Sequence, residues 1–328
     1  MHARFRWLAL CWLLPLLLLA CQATTAPAPA LRFGVVSSWP GFTPFFLAGQ
    51  RQLYSPTQVD LISFSSLYDA YRAFSQRRAD IVATTLFDAI RLADEGVPLK
   101  IVMVIDYSNG ADGIVARQDI RAIGDLKGKR IGVTLGDSNH FILLAALDRA
   151  GLREQDVQLV NGSVEESAQA FAQGKVDAAI LWDPLLSEQA SAPGAHKIFT
   201  TSEIPGEIPD VLVVQQDLVE QRPADVAQIM LGWDNALRAW KTQGAEAEQI
   251  MARVLNVPPA DFAASISGIA LVDREHNRRL FDTADRPSIW TTYAATVNFM
   301  TTHRLLAHPA PSAQALIDPQ FLNTAVQP

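Results

Sequence analysis

Phe171–Ala178 reads FAQGKVDA and, 97 residues upstream, Phe74–Ile81 reads FSQRRADI. The same near-period relates Arg32–Val36 (RFGVV) to Lys129–Thr134 (KRIGVT), with Gly34 and Gly132 98 residues apart. Each half predicts strand, helix, strand, helix, strand. The first-half strands are expected at Arg32–Val36, Val59–Ser63 and Ile81–Thr84, with helices near Pro44–Arg51 and Leu67–Gln76. The second-half strands are expected at Arg130–Thr134, Val157–Asn161 and Ala178–Trp182, with helices near Asn139–Ala150 and Val164–Gln173. Strands alternating with helices of this length give parallel sheets through right-handed crossovers. Ser163 and Glu166 form a capping box, and Gly151 and Gly174 stand where left-handed helix ends are needed. Asp80 and Asp177 are read as turning the chain into the third strand of each half rather than as catalytic carboxylates. From about Val211 the pattern becomes helical, over Ala224–Thr242 and Glu246–Leu255.

The first residues read as a targeting device. Arg4 and Arg6 precede an apolar run from Trp7 to Ala20, too short for a membrane span of roughly 20 residues. Leu18-Leu19-Ala20-Cys21 resembles the bacterial lipobox, so residues 1–20 are expected to be a lipoprotein signal peptide and Cys21 the acylated first mature residue. Gln22–Ala30 (QATTAPAPA) reads as an uncharged, Pro-rich tether. No second long apolar run follows.

The chain of 328 residues is 49% hydrophobic with a net charge of -7, which excludes disorder. Its two cysteines exclude a disulfide scaffold, and 34 acidic against 27 basic residues argue against nucleic acid as a partner. The motifs G-x-S-x-G, H-E-x-x-H, Walker A and G-x-G-x-x-G are missing, and the six histidines have no metal-ligand spacing, so no enzyme, cofactor or metal is expected.

In open parallel sheets ligands bind beyond the carboxyl ends of the strands. The residues there are the candidates. Ser38 and Trp39 follow the first strand and offer a hydroxyl and a flat wall; the alternative is a Pro-Gly turn around a core tryptophan. Ser66 follows the second strand, and Thr84 and Thr85 end the third, either bonding a ligand or packing as β-branched residues. Ser138, Asn139 and His140 open a helix whose free N–H groups suit an anion. Asp137 would repel that anion unless it caps the helix. Trp182 and Asp183 end the last strand of the second half. Asn109 lies at the connection between halves. Asp106 and Asp112 hint at a calcium loop but lack the order such loops need.

Leu31–Phe46 (LRFGVVSSWPGFTPFF), Asp106–Ala116 (DYSNGADGIVA), Ile123–Leu135 (IGDLKGKRIGVTL), Asn139–Leu147 (NHFILLAAL) and Val176–Pro184 (VDAAILWDP) together resemble the periplasmic solute-binding proteins for sulfonates, taurine and nitrate, a family related to pyrimidine-precursor binders. The resemblance implies an α/β, two-lobed periplasmic binding protein of type II. Lobe 1 would be 31–113 plus 212–328 and lobe 2 114–211. It also implies ligand contacts by Ser138, Asn139 and His140, an aromatic wall at Trp182, and an ammonium partner in Asp183 or Asp210. The implied function is high-affinity binding of an aliphatic sulfonate, taurine or nitrate-like solute by clamshell closure. The closed complex of a monomeric protein, lipid-anchored at the cell membrane, would then serve an ABC permease and its ATPase. A nitrogen heterocycle (a pyrimidine precursor or flavin) as ligand, and a sensor for a membrane receptor, are the alternatives. The scarcity of Lys and Arg in the candidate loops leaves an anion to N–H groups and hydroxyls, whereas the nearby acids favour an amino-sulfonate or a nitrogen heterocycle.

Overall fold

β1 (Leu31–Val36) opens the folded body of the computed structural model, which describes residues 28–285 and 287–323. The expected signal peptide, Cys21 and most of the expected tether lie outside the described residues. The first half continues with α1 (Thr43–Gln50), β2 (Val59–Phe64), α2 (Leu67–Ser75), β3 (Ile81–Thr85), α3 (Leu86–Asp94) and β4 (Leu99–Ser108). Then come β5 (Asp112–Arg117), β6 (Arg130–Val133), α4 (Ser138–Arg149), β7 (Gln158–Asn161), α5 (Val164–Ala172), β8 (Ala178–Trp182), α6 (Leu185–Ala190) and β9 (Ala195–Thr200). The remainder is β10 (Pro209–Gln215), α7 (Gln216–Gln221), α8 (Pro223–Leu255), α9 (Pro259–Ile266), β11 (Ile269–Leu271), α10 (Arg274–Leu280), α11 (Ile289–Thr302) and α12 (Ala313–Leu316).

The repeat appears as two parallel trios with the same order. β1 pairs with β2 and β3, and β6 pairs with β7 and β8, all in parallel. The same clamp closes each trio. Arg32 donates its backbone N–H to Asp80 at 2.8 Å and its guanidinium at 2.6 Å, and Arg130 does so to Asp177 at 2.9 and 2.8 Å. The two aspartates therefore tie the first strand of each trio to the residue that enters the third. Ser163 and Glu166 form the capping box that starts α5, and Gly151 (φ 69°) and Gly174 (φ 71°) are left-handed.

The sheets differ from the sequence expectation in being mixed. β10, β4 and β11 extend the first trio in antiparallel fashion, giving a six-stranded order β11-β4-β10-β3-β1-β2. β5 and β9 extend the second into β7-β6-β8-β5-β9. β4 (LKIVMVIDYS) and β10 (PDVLVVQ) are almost wholly buried. Apolar runs of that kind carry no period to distinguish strand from buried helix. The 33-residue α8 contains a break at Gly244 (φ 20°, ψ -97°), between the two helices expected at 224–242 and 246–255.

The chain changes sheet twice, at 109–111 and at 201–208, a few residues before the expected breaks at 113 and 211. The two connections are stitched together. Ser108 and Thr201 hydroxyls lie 2.7 Å apart, and Gly110 N–H donates to Thr201 Oγ1 at 2.8 Å. Gly110 has a φ of 118°, a conformation glycine reaches without steric cost.

Under the first sheet, Phe45 stacks 4.8 Å from Phe33 and 4.6 Å from Trp233, all fully buried. Burial of each such side chain stabilises the fold by about 1.5–3 kcal/mol. Trp233 Nε1 donates to the Val272 carbonyl at 2.9 Å, so the indole costs no unpaired donor. No helix among the described residues is long and apolar enough to cross a membrane.

Candidate functional site

Trp39 leaves β1 in extended geometry, and Pro40 then starts a short 3-10 turn through Phe42, closed by Thr43 Oγ1 donating to the Pro40 carbonyl at 2.7 Å. The turn carries the Trp39 indole onto a buried carboxylate: Nε1 donates to Asp106 Oδ2 at 3.4 Å. Gly41 permits this approach, because a Cβ there would stand 2.3 Å from Asp106 Oδ2 and 2.6 Å from Trp39 Nε1. The Pro-Gly turn and the ligand wall are thus both present at Trp39.

The opposite wall comes from the second sheet. Trp182 ends β8 and meets Trp39 edge to face. Its Nε1 is buried with no hydrogen-bond partner among the described residues. The two indoles border a small cavity of about 30 Å³. Val36, Phe42, Leu67 and Ile208 supply the rest of its apolar lining, and Thr85, Asp112, Ser138 and Asp210 its polar lining. A largely apolar cavity with a few convergent polar groups is the common form of a small-molecule site.

The charge around it is unusual. Asp88, Asp106, Asp112, Asp137, Asp183 and Asp210 are all at most 6% exposed. Asp106 and Asp210 face each other in register on β4 and β10, and each acts on the other's carboxyl. Burial pushes the carboxyls of Asp106 and Asp112 up to about 7, and drives Asp210 well above the ordinary carboxylate range, where Asp106 and Asp112 add repulsion. Arg91 reaches from α3 to the Gly136 carbonyl and offsets Asp88 and Asp137. The charges acting on Asp112 come instead from Asp106 and Asp183.

Of the twelve residues singled out in the sequence, Trp39, Thr85, Ser138, Trp182 and Asp210 line this cavity. Thr85 is partly committed, donating to Asp88 Oδ2 at 2.6 Å and capping α3. Thr84 is buried in β3 and Ser38 half-buried after β1, each with a hydroxyl lacking a partner among the described residues. Ser66 caps α2, accepting from Asp69 N–H at 3.2 Å. Asp183 starts α6, accepting from Ser187 N–H at 2.9 Å. Asn109 is exposed on the first connection, beside a separate groove along α11.

The helix start at Ser138 departs from the expected anion cradle. Asp137 caps it, accepting from Asn139 N–H at 2.8 Å and from His140 N–H at 3.4 Å. Those two donors are already used by a carboxylate. His140 faces away from the cavity wall: its Nδ1 accepts from Gly136 N–H at 3.3 Å and its Nε2 stands 3.7 Å from Glu154. Burial lowers its pKa, with Glu154 opposing. The Asn139 amide is buried and unpaired among the described residues.

Val36, Phe42, Leu67, Asp112 and Ile208 line the cavity without having been foreseen. The apolar ones look like any core residue in sequence. Asp112 did carry a signal, its spacing from Asp106, which pointed toward calcium and away from the cavity that Asp112 lines.

The chain resembles known proteins along most of its length. A Brucella abortus protein named as a binding protein is 27% identical over 163 residues, 49% of this chain and 51% of that one, so the chain spans about half the length of this relative. An Escherichia coli protein named for aliphatic-sulfonate binding is 25% identical over 76% of this chain and 79% of its own. Among solved structures, the alkanesulfonate-binding protein of Xanthomonas axonopodis pv. citri bound to MOPS superposes with a TM-score of 0.75 at 22% identity, covering 90% of this chain and 100% of that one. At that identity the likeness establishes the periplasmic-binding-protein fold. Residues 39–247, well over half of the chain, match the family described as NMT1/THI5 like, and the chain belongs to that family.

Proposed function

We propose that the chain is an extracytoplasmic solute-binding protein that encloses one small polar molecule between its two sheets and presents it to an ABC permease. The observation that carries this reading is the cavity bordered by Trp39 and Trp182, lined from both sheets, with the Trp182 N–H left without a partner among the described residues. The two sheets with their helices would act as lobes, 31–113 plus 212–328 and 114–211, hinged where Ser108 meets Thr201. A ligand that touches both walls is fully contacted only when they close, so it draws the population toward the closed form. The mobile complex is what a permease recognises, and lipid on Cys21 would keep it near the membrane.

The names of relatives, one for aliphatic-sulfonate binding and another, 27% identical over 54% of this chain and 57% of its own, for taurine binding in Escherichia coli, support a solute of that class. Those relatives are named as binding proteins. A thermal-shift screen against taurine, alkanesulfonates, nitrate, pyrimidines and flavins tests the reading. One class raises the melting temperature in a dose-dependent way if the reading holds. A protein that converts such a compound to product would overturn it.

A further inference from the structure

α4 lies on the second sheet, with Ser138 of its first turn at the cavity, while α3 and α11 pack with the first. A run of contacts ties α4 to those two helices. Arg91 of α3 donates to the Gly136 carbonyl, just before α4 begins. The Phe141 ring stands 5.6 Å from Phe87 of α3 and 4.4 Å from Phe299 of α11. Two turns further on, and on the same face of α4, Asp148 lies 2.8 Å from His303 Nε2. Phe299 and His303, one turn apart, have their rings 4.2 Å apart, so one face at the end of α11 offers both partners. Neither they nor Asp148 line the cavity. Trp39 and Trp182 meet in the same structure, so this seam is made while the cleft is shut.

Resting on the solute-binding reading above, we infer that His303 and Phe299, with Asp148 and Phe141 of α4, are a latch outside the cavity that sets how much of the unliganded protein is shut. A contact made in the shut form and broken in the open one raises the shut fraction. Apparent affinity rises in proportion to the fraction competent to hold a ligand. The latch pair of Asp148 and His303 touches no solute, so it scales the affinity for every solute by one common factor. A residue of the cavity wall would weaken some solutes more than others. With its proton on Nε2, His303 donates to Asp148 without carrying a charge, and a glutamine amide can donate in its place.

The test compares Asp148→Ala, His303→Ala and their double variant with His303→Gln. Each is made in protein carrying dyes through Tyr68→Cys and Leu135→Cys, with Cys11 and Cys21 replaced by alanine. Single-molecule energy transfer without ligand reads the shut fraction, and calorimetry with taurine and with ethanesulfonate reads affinity, all below the melting transition. Each alanine variant should lower the shut fraction about two- to fivefold, the range of a partly exposed pair. Both dissociation constants should rise by that same factor. The double variant should lose no more than either single one, because the two residues share one contact. His303→Gln should restore the wild-type fraction, which a loss of packing alone would not do. A shut fraction that the alanine variants leave unchanged, or a loss of affinity that differs between the two solutes, would overturn the latch and leave the solute-binding reading standing. If no compound binds, that reading falls, and the unliganded shut fraction alone decides for or against the latch.

Discussion

Trp39 and Trp182 meet edge to face across the cleft, their ring centroids 6.5 Å apart and their planes at 86°. One follows the first strand of the first sheet and the other ends the third parallel strand of the second. Their contact is therefore a direct gauge of how the two halves stand.

Because both indoles border the cavity while Trp233, Trp240 and Trp290 do not, ligand entry should change tryptophan fluorescence mainly through this pair. The double variant Trp39→Phe, Trp182→Phe is expected to lose most of the ligand-induced change. Trp182→Ala, which also empties one wall, should weaken binding at least about tenfold, as loss of a buried aromatic anchor does. Fluorescence titration reads both.

Gly41→Ala forces a methyl group against the Asp106 carboxylate and the Trp39 indole. Overpacking of this kind costs about 1–3 kcal/mol. The expected result is a melting temperature lowered by a few degrees together with weakened ligand binding, because the wall itself moves. Differential scanning calorimetry and titration on the same preparation check it.

The carboxyls of Asp106 and Asp112, raised to about 7 in the fold, titrate near about 4 in an unfolded chain. Between those limits the folded state holds more protons, so stability is greatest at the acid end and falls as pH rises through 7. Asp210, driven by burial well above the ordinary carboxylate range, acts in the same direction. Denaturant titrations of the unliganded protein at pH 5.5 and 8 should show a loss on the order of a few kcal/mol. Asp112→Asn should flatten that dependence, and saturating taurine should reduce it.

If Cys21 is acylated as proposed, labelled palmitate enters the protein, and a Cys21→Ala variant gains no label and leaves the membrane fraction. Fractionation with metabolic labelling decides this.

How much of this was legible in the sequence follows from periodicity. The parallel trios and their helices came from a repeat written in short strands, where Gly34 and Gly132, Asp80 and Asp177 kept register. The antiparallel strands β4 and β10 escaped because their buried apolar runs have no alternation, and because their partners lie far away along the chain. Of the candidate residues, Trp39, Thr85, Ser138, Trp182 and Asp210, each with a distinctive chemistry near a strand end, line the cavity. Phe42 and Leu67, which line it too, were not among the candidates, since a cavity wall and a core use the same residues. The start of α4 shows a different limit: its free N–H groups were correctly placed, but whether Asp137 or a ligand would take them is decided by the side chain's rotamer, which sequence does not carry.

The central claim is closure of two halves on a solute. Tyr68 beside Leu67, and Leu135 beside Gly136, are 61% and 42% exposed on the first-sheet and second-sheet sides of the cleft, and the protein's two cysteines, Cys11 and Cys21, are replaced by alanine so that neither takes dye. Dyes placed through Tyr68→Cys and Leu135→Cys should report two interconverting distances by single-molecule energy transfer, with taurine, or whichever screened compound proves to bind, shifting the population to the shorter one. A single distance that stays fixed while calorimetry shows that compound bound would contradict the account.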